Sequence, residues 1–409
     1  MESYAGEGDD AFRGRDGPLR VTNPEPRDPL FVTIIKAAAQ VGIRHNPDYN
    51  GASQEGIAMS QATIAAGRRM STARCYLDPV RNRRNLHIET EALTEKLVLD
   101  GKRCTGVRYS VAGEVREARV GREVVVSAGA FNSPQLLELS GIGQPERLCN
   151  LGIEVRHELP GVGENLRDHY VPRTRWLVGK KGITFNDRGR GLGLAHQVLR
   201  YALSRQGMLA MTGAPIRAFV CSREGLEAPD LMLGWIPMFS EPSPRGPRIS
   251  RQSGMTLYAH AMRPESKGHV HITAADAQKP PAINFNFLST PPDAELTVRA
   301  VRIAREIMTA PAMTPFQMSE VAPGTDRTTD DEILDWVKKA AETTYHPVGT
   351  CKMGSDPMAV VDAQLRVHGI AGLRVADASI MPTLTSGNTN APSIMIGEKA
   401  AEMVLSTAT

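Results

Sequence analysis

Residues 124–143, VVVSAGAFNSPQLLELSGIG, decide how this chain is read. Three consecutive valines suit a strand buried on both faces. The small residues that follow let another group come close to the main chain, and Gly129 is where a side chain would otherwise block that approach. Ser133 reads as a helix N-cap, Pro134 as the first helical position and Gly141 as the stop. A buried strand that ends in small residues and opens a helix is how α/β folds bring backbone amides up to a dinucleotide. The same pattern also serves as a plain strand–turn–helix with no ligand.

Working outward, residues 86–92, 93–99 and 104–110 read as short strands, with Asp100-Gly101 as a type I′ hairpin turn, and residues 123–127 as a further strand. Residues 29–41 form a helix with Leu30, Ile34, Ala38 and Val41 on one face. Residues 160–260 are rich in Gly, Arg and Met and show little periodicity. Residues 269–287 alternate enough for strands, and 296–308 read as a helix. Thr329 and Glu332 make a capping box for a helix that follows. The chain closes with a strand at 373–376, a Pro/Gly/Asn-rich turn at 381–392 and a helix over 393–404.

Composition narrows the function classes. Lys and Arg (48) exceed Asp and Glu (45) by only three over 409 residues, which argues against a dedicated nucleic-acid binder. The 37 glycines and 28 prolines point to a loop-rich enzyme rather than a bundle. The five cysteines (Cys75, Cys104, Cys149, Cys221, Cys351) include no CxxC pair, so a disulfide scaffold is not expected and a reducing compartment is. The opening residues hold no apolar signal core, and no apolar run reaches the ~18 residues of a membrane span, so a cytoplasmic location is expected.

Two further segments carry chemistry. His346 precedes Pro347, which restrains its backbone to an extended form, and a fixed imidazole is a natural base for an alcohol proton. A core-satisfied histidine is the alternative, since the chain has ten. His346 and Cys351 lack two further ligands at zinc spacing, so no metal is expected. In residues 375–397, Asp377 ends a strand where a carboxylate can meet ligand hydroxyls or helix amides. Asn388 and Asn390 follow in a polar turn that opens a helix, and turn-forming residues alone give the same pattern. GxSxG and GxxxxGK[ST] motifs are absent from the sequence.

Taken together, the blocks SAGAFNSPQLLELSGIG (127–143), YHPVGTCKMG (345–354), LRVADASIMP (373–382) and SGNTNAPSIMIGEKAA (386–401) resemble the glucose–methanol–choline (GMC) family of flavin oxidoreductases, and most closely its choline-dehydrogenase-like branch. LPGVGENLRDH (159–169) and MRPESKGHVHI (262–272) match in order, so the resemblance covers essentially the whole chain. It implies an α/β (α+β) fold, with an FAD/NAD(P)-binding-type domain beside a substrate domain of antiparallel sheet and helices. It implies FAD as cofactor and oxidation of a primary alcohol to an aldehyde, with His346 as base and Asn388 as its partner on the substrate oxygen. Thr94, Ala128, Gly129, Ala376, Asp377, Asn390 and Pro392 are the positions implied for FAD, although the family usually has Val where Thr94 stands. The aromatic and methionine residues Met232, Trp235, Met238 and Phe239 suit either a substrate pocket or the core.

The family's first strand, GxGxxG turn and first signature have no counterpart in the sequence. On the order of a hundred residues of the family pattern, comparable to a small domain, are therefore expected to lie outside this chain, through a start-site error, a split gene or a genuine truncation. The expected organisation is an N-terminal loop and helix region (1–84), the remainder of the FAD domain (85–165 and 355–409) and a substrate domain (166–354). Activity is expected to need the outside segment, and the alternative is a flavin-free remnant or partner-binding pseudoenzyme. The implied partners are a small-molecule alcohol, an electron acceptor the sequence does not name, and a separate N-terminal fragment or second copy of the chain. Nucleic acid is not among them.

Overall fold

The computed structural model describes residues 1–25, 27–241, 246 and 248–406. In chain order its main elements begin with α1 (Pro29–Gln40), β1 (Gly56–Met59), β2 (Ala92–Asp100), β3 (Arg103–Val111), β4 (Glu114–Arg119), β5 (Val124–Val126) and α2 (Gly129–Leu139). Next come β6 (Arg173–Val178), α3 (Gly191–Ser204), β7 (Ile216–Val220), β8 (Leu231–Ile236), β9 (Gly254–Ala261), β10 (His269–His271) and β11 (Ala282–Asn284). The chain ends with α4 (Pro291–Met308), β12 (Met318–Ala322), α5 (Asp330–Ala340), β13 (Leu373–Val375) and α6 (Asn390–Ser406). These elements form two compact units. One comprises Met1–Arg83, Tyr170–Met262 and Ala294–Glu342, and the other Arg84–His169, Arg263–Asp293 and Thr343–Thr409.

The first unit is built on a six-stranded sheet of order β12-β6-β9-β8-β7-β1, with neighbouring strands antiparallel. Its central strands are buried almost without alternation: LMLGWI in β8 and GMTLYAHA in β9 expose no residue fully. Both faces are therefore covered, and a period of two cannot show in the sequence. Trp176 and Trp235 are fully buried beside Leu231, Leu257 and the inward face of α1. That face presents Leu30, Ile34 and Ala38, as the 3.6-residue period predicts. The Asp28 carboxylate accepts the Leu30 N–H at 3.0 Å, and Pro29 stands at the first helical position, so the α1 start is capped and pre-bent. Met232 and Phe239 are also buried, so together with Trp235 they are core.

The second unit contains a three-stranded meander, β2-β3-β4, and a parallel pair, β5 and β13, in which Leu373 faces Val124 and Val375 faces Val126. Residues 86–91 form no strand, because the ladder starts at Ala92. The turn after Asp100 holds only Gly101 at positive φ (+51°), where a type I′ turn needs two such residues. The core gathers Leu137, Ile142, Val162, Val348, Val361 and Val375.

Helix α2 starts at Gly129, four residues before the predicted Ser133. Ser133 still caps, because its Oγ accepts the Ala128 N–H at 3.1 Å. Pro134 therefore falls inside the helix, where its missing N–H would orphan the Ala130 carbonyl. The Thr350 hydroxyl fills that place, donating to Ala130 O at 2.6 Å. The capping box at Thr329 forms as read, with the Glu332 side chain accepting the Thr329 N–H at 2.9 Å. Among the described residues no helix is long and apolar enough to cross a membrane.

Candidate active site

Within the second unit the chain folds two distant loops onto one histidine. His346 Nε2 lies 2.9 Å from the Asn388 amide nitrogen. An amide N–H can only donate, so Nε2 carries the lone pair and the ring proton sits on Nδ1. Nδ1 in turn lies 2.8 Å from Thr344 Oγ1 and 3.0 Å from His169 Nδ1. The His169 ring meets the His346 ring edge-on, with centroids 5.3 Å apart, and His169 is fully buried.

The loop that presents His346 is fixed by its backbone. Pro347 disfavours helical backbone at His346, and Tyr345 takes φ +63°, a left-handed conformation that bulky residues rarely adopt. Hydrogen bonds hold that turn in place: the Tyr345 N–H donates to Thr343 Oγ1 at 2.8 Å and the His346 N–H to Asp168 Oδ1 at 3.0 Å. Gly349 follows at φ +95°, and a Cβ there would lie 2.4 Å from the Asn165 carbonyl, so only glycine fits. Val348 and Arg167 form a bridge below it.

Asp168 is the hub of this loop. Its carboxylate accepts the N–H groups of His169 (2.8 Å) and His346, and the hydroxyls of Thr343 and Thr344, the last at 3.4 Å. Burial pushes its pKa from 3.8 up to about 6, against the lowering effect of these four donors. A path of polar contacts thus runs from Nδ1 of His346 through the Thr344 hydroxyl to a buried carboxylate. Asp168, His169 and Thr344 were not singled out from the sequence. The signal was there: a carboxylate next to an imidazole at the end of LPGVGENLRDH, and two hydroxyl residues just before Tyr345-His346.

A second set of singled-out residues gathers at the C-terminal ends of the parallel pair. Ala376 N–H donates to Val126 O at 2.8 Å, and Ser127 Oγ to Ala376 O at 2.9 Å. Asp377 is spent on the fold: Oδ2 accepts the Gly129 N–H (2.9 Å) and the Ser133 hydroxyl (2.5 Å), and Oδ1 the Ser379 N–H (2.7 Å). Asn390 opens α6 with Pro392 in its first turn, and α6 packs on the 3₁₀ turn Ala378–Ile380 that follows Asp377. Of the two asparagines, Asn388 is the one in contact with His346, while Asn390 is exposed at the helix start. Thr94 lies exposed on β2, opposite Tyr109.

The sequence of this chain matches GMC oxidoreductase family models over residues 4–171 and 264–397. The chain belongs to the GMC oxidoreductase family. Its curated GMC relatives include the oxygen-dependent choline dehydrogenase of Chromohalobacter salexigens, 40% identical over 97% of this chain and 71% of that protein. The enzyme of the same name from Escherichia coli O139:H28 is 39% identical over 97% of this chain and 72% of that protein. Among solved structures, pyridoxine 4-oxidase from Mesorbium loti superposes with a TM-score of 0.85 at 28% identity, covering 98% of this chain and 74% of that one. Formate oxidase from Aspergillus oryzae RIB40, studied for its FAD modification, gives a TM-score of 0.89 at 25% identity, covering 99% and 76%. As a GMC oxidoreductase, choline-dehydrogenase-like in sequence, this protein belongs to a group that depends on FAD.

The second unit fits part of such a cofactor. Gly129 stands at the C-terminal end of the parallel pair at φ +82°, and apart from its chain neighbours and its own helix backbone no atom lies within 4 Å of where its Cβ would be. A flat or extended ligand can therefore approach the main chain there, as it does at strand ends in α/β sheets. The Gly129 N–H is already taken by Asp377, so that approach is one of shape, not of hydrogen bonding to this amide. The N-terminus of α6, a 17-residue helix, adds the positive end of its dipole to the same unit.

Proposed function

We propose that this protein oxidises a primary alcohol to an aldehyde, with His346 as the base that takes the hydroxyl proton and Asn388 as the donor that holds the substrate oxygen. FAD, when bound, supplies the hydride acceptor. The observation that carries the reading is the 2.9 Å contact between His346 Nε2 and the Asn388 amide nitrogen. An alcohol is far too weak an acid to ionise alone near neutrality, and hydride leaves readily only from an alkoxide-like carbon, so a base with a pKa near the working pH is required. A hydroxyl brought between these two side chains can donate to Nε2 and accept from the amide. Charge that grows on its oxygen is then met by a fixed N–H.

The residues behind the ring would do the positioning. Thr344 and His169 face Nδ1, and Asp168 fixes the His346 backbone. Ala128, Gly129, Ala376, Asn390 and Pro392 are assigned to the cofactor's surface, with Asp377 shaping it from behind and Thr94 placed nearer the adenine. The second unit is taken as the flavin-binding part and the six-stranded unit as the part that selects the alcohol. A GxGxxG turn for the ADP half of FAD is not among these 409 residues, so turnover is assigned to the chain together with a segment that supplies one.

The test is dye-linked oxidation of a panel of primary alcohols, choline included, by the chain joined to such a segment. Alcohol-dependent dye reduction is expected, and His346→Ala should lower it by about 10²–10⁴-fold. A folded, FAD-loaded protein that turns over none of the alcohols would contradict the reading, and a folded protein that takes up no FAD would leave a flavin-free or partner-binding role in its place.

A further inference from the structure

Helix α3 breaks the pattern of the unit that contains it. Its sequence, GLGLAHQVLRYALS, holds one buried side chain, Gln197, while its large apolar residues face out. Leu192 is 90% exposed, Leu203 79% and Leu199 58%, and Val198 and Leu194 are exposed beside them. At about 100° per residue, Leu192, Leu199 and Leu203 fall within about 40° of one another on the helix surface. An outward leucine stripe of this kind on a soluble surface marks a binding face.

The charges around it say what kind of face. Residues 179–210 carry Lys180, Lys181, Arg188, Arg190, Arg200 and Arg205 against a single acid, Asp187. The Asp187 carboxylate is occupied by the Ser253 and Thr184 hydroxyls and the Gly182 N–H. Helix α3 itself has no acidic residue. A second basic group stands against its C-terminal end: Tyr201 donates to the Gly67 carbonyl at 3.1 Å, which seats the exposed pair Arg68–Arg69 next to Arg205. Arg188 is paired with Asp28 and Arg190 donates to the Ser250 carbonyl, which leaves Lys180, Lys181, Arg200 and Arg205 as the exposed cations beside the stripe. A leucine stripe flanked by these is complementary to an apolar layer beneath a sheet of negative charge.

We propose that α3 is an interfacial membrane anchor. It lies flat on a bilayer that contains anionic lipid, with Leu192, Leu199 and Leu203 among the acyl chains and Arg200, Arg205 and the Arg68–Arg69 pair at the headgroups. This inference is independent of the alcohol chemistry proposed above. It explains why a 14-residue helix, too short to span a membrane, keeps its leucines outward.

The test is co-sedimentation of the whole chain with vesicles of equal parts phosphatidylcholine and phosphatidylglycerol, and with vesicles of phosphatidylcholine alone. Binding to the anionic vesicles is expected, weakened at least about tenfold when phosphatidylglycerol is omitted or salt is raised. The double variant Leu199→Glu, Leu203→Glu should lose about tenfold or more of that binding with an unchanged circular dichroism spectrum, since both side chains already face solvent. Arg200→Glu, Arg205→Glu should lose the anionic-lipid preference while the leucines stay in place. Failure of the unaltered chain to pellet with anionic vesicles would overturn the proposal, as would pelleting of the leucine variant like the parent. A leucine variant that turns a dimer into a monomer in light scattering, with vesicle binding absent, would assign the face to a second copy instead.

Discussion

Strand β8 buries five of its six residues and is paired along both edges, whereas residues 344–349, which carry His346, contain a single backbone bridge. The first region is held by apolar area removed from water, and any residue of similar size and hydrophobicity serves there. The second is held by a few hydrogen bonds to one buried carboxylate, Asp168, and by glycine and proline at set positions. Damage to the first should therefore show as lost stability, and damage to the second as lost geometry with the fold standing.

The largest effect should come from the sheet. Trp235→Ala removes a fully buried indole and is expected to cost about 3–5 kcal/mol in urea unfolding, with activity lost only as far as the protein unfolds. A smaller stability change would mean the core collapses around the gap. Next comes the histidine's neighbour. Asn388→Ala should leave the urea midpoint in place and lower turnover of the reconstituted enzyme by roughly 10²–10³-fold, since it removes only the proposed oxygen donor. A shift in the midpoint with turnover intact would invert the contrast between the two regions.

Asp168 sharpens the comparison through pH. Because the folded chain binds this proton more tightly than the unfolded one, the group's contribution to stability is complete below the ordinary value of 3.8 and is lost as pH rises through about 6. The amount is about 3 kcal/mol at most. Asp168→Asn, which cannot titrate, should flatten that part of the melting-temperature profile, and an unchanged slope would assign it to another group. The smallest effect is expected at Thr350→Val, which keeps shape but leaves the Ala130 carbonyl beneath Pro134 without its hydroxyl donor. A loss of about 1–2 kcal/mol should appear in thermal unfolding.

What the sequence reveals follows the same division. Residues 124–143 announced a strand and a helix, and both are present, although the helix starts at Gly129 because Ser133 reaches backward to cap it. Amphipathic α1 and the capping box of α5 were legible because a half-buried helix writes its period and its cap into local residues. The six-stranded sheet was not. Strands buried on both faces erase the alternation that would reveal them, and their pairing is long-range. His346 and Asn388 were named from separate motifs and lie 2.9 Å apart. Asp168, His169 and Thr344 escaped notice because a single Asp-His or Thr-Thr step carries no local pattern; only folding brings the carboxylate beneath the histidine 178 residues away.

The most direct test of the proposed base is the pH dependence of kcat/KM for alcohol oxidation in the reconstituted enzyme and its His346→Ala variant. The unaltered enzyme should rise along an acid limb and level off once Nε2 is unprotonated. The variant should run about 10²–10⁴-fold lower on the plateau and keep climbing with pH, because hydroxide takes over the missing proton transfer. Two parallel profiles, both with the same acid limb and plateau, would show that the alcohol proton goes elsewhere.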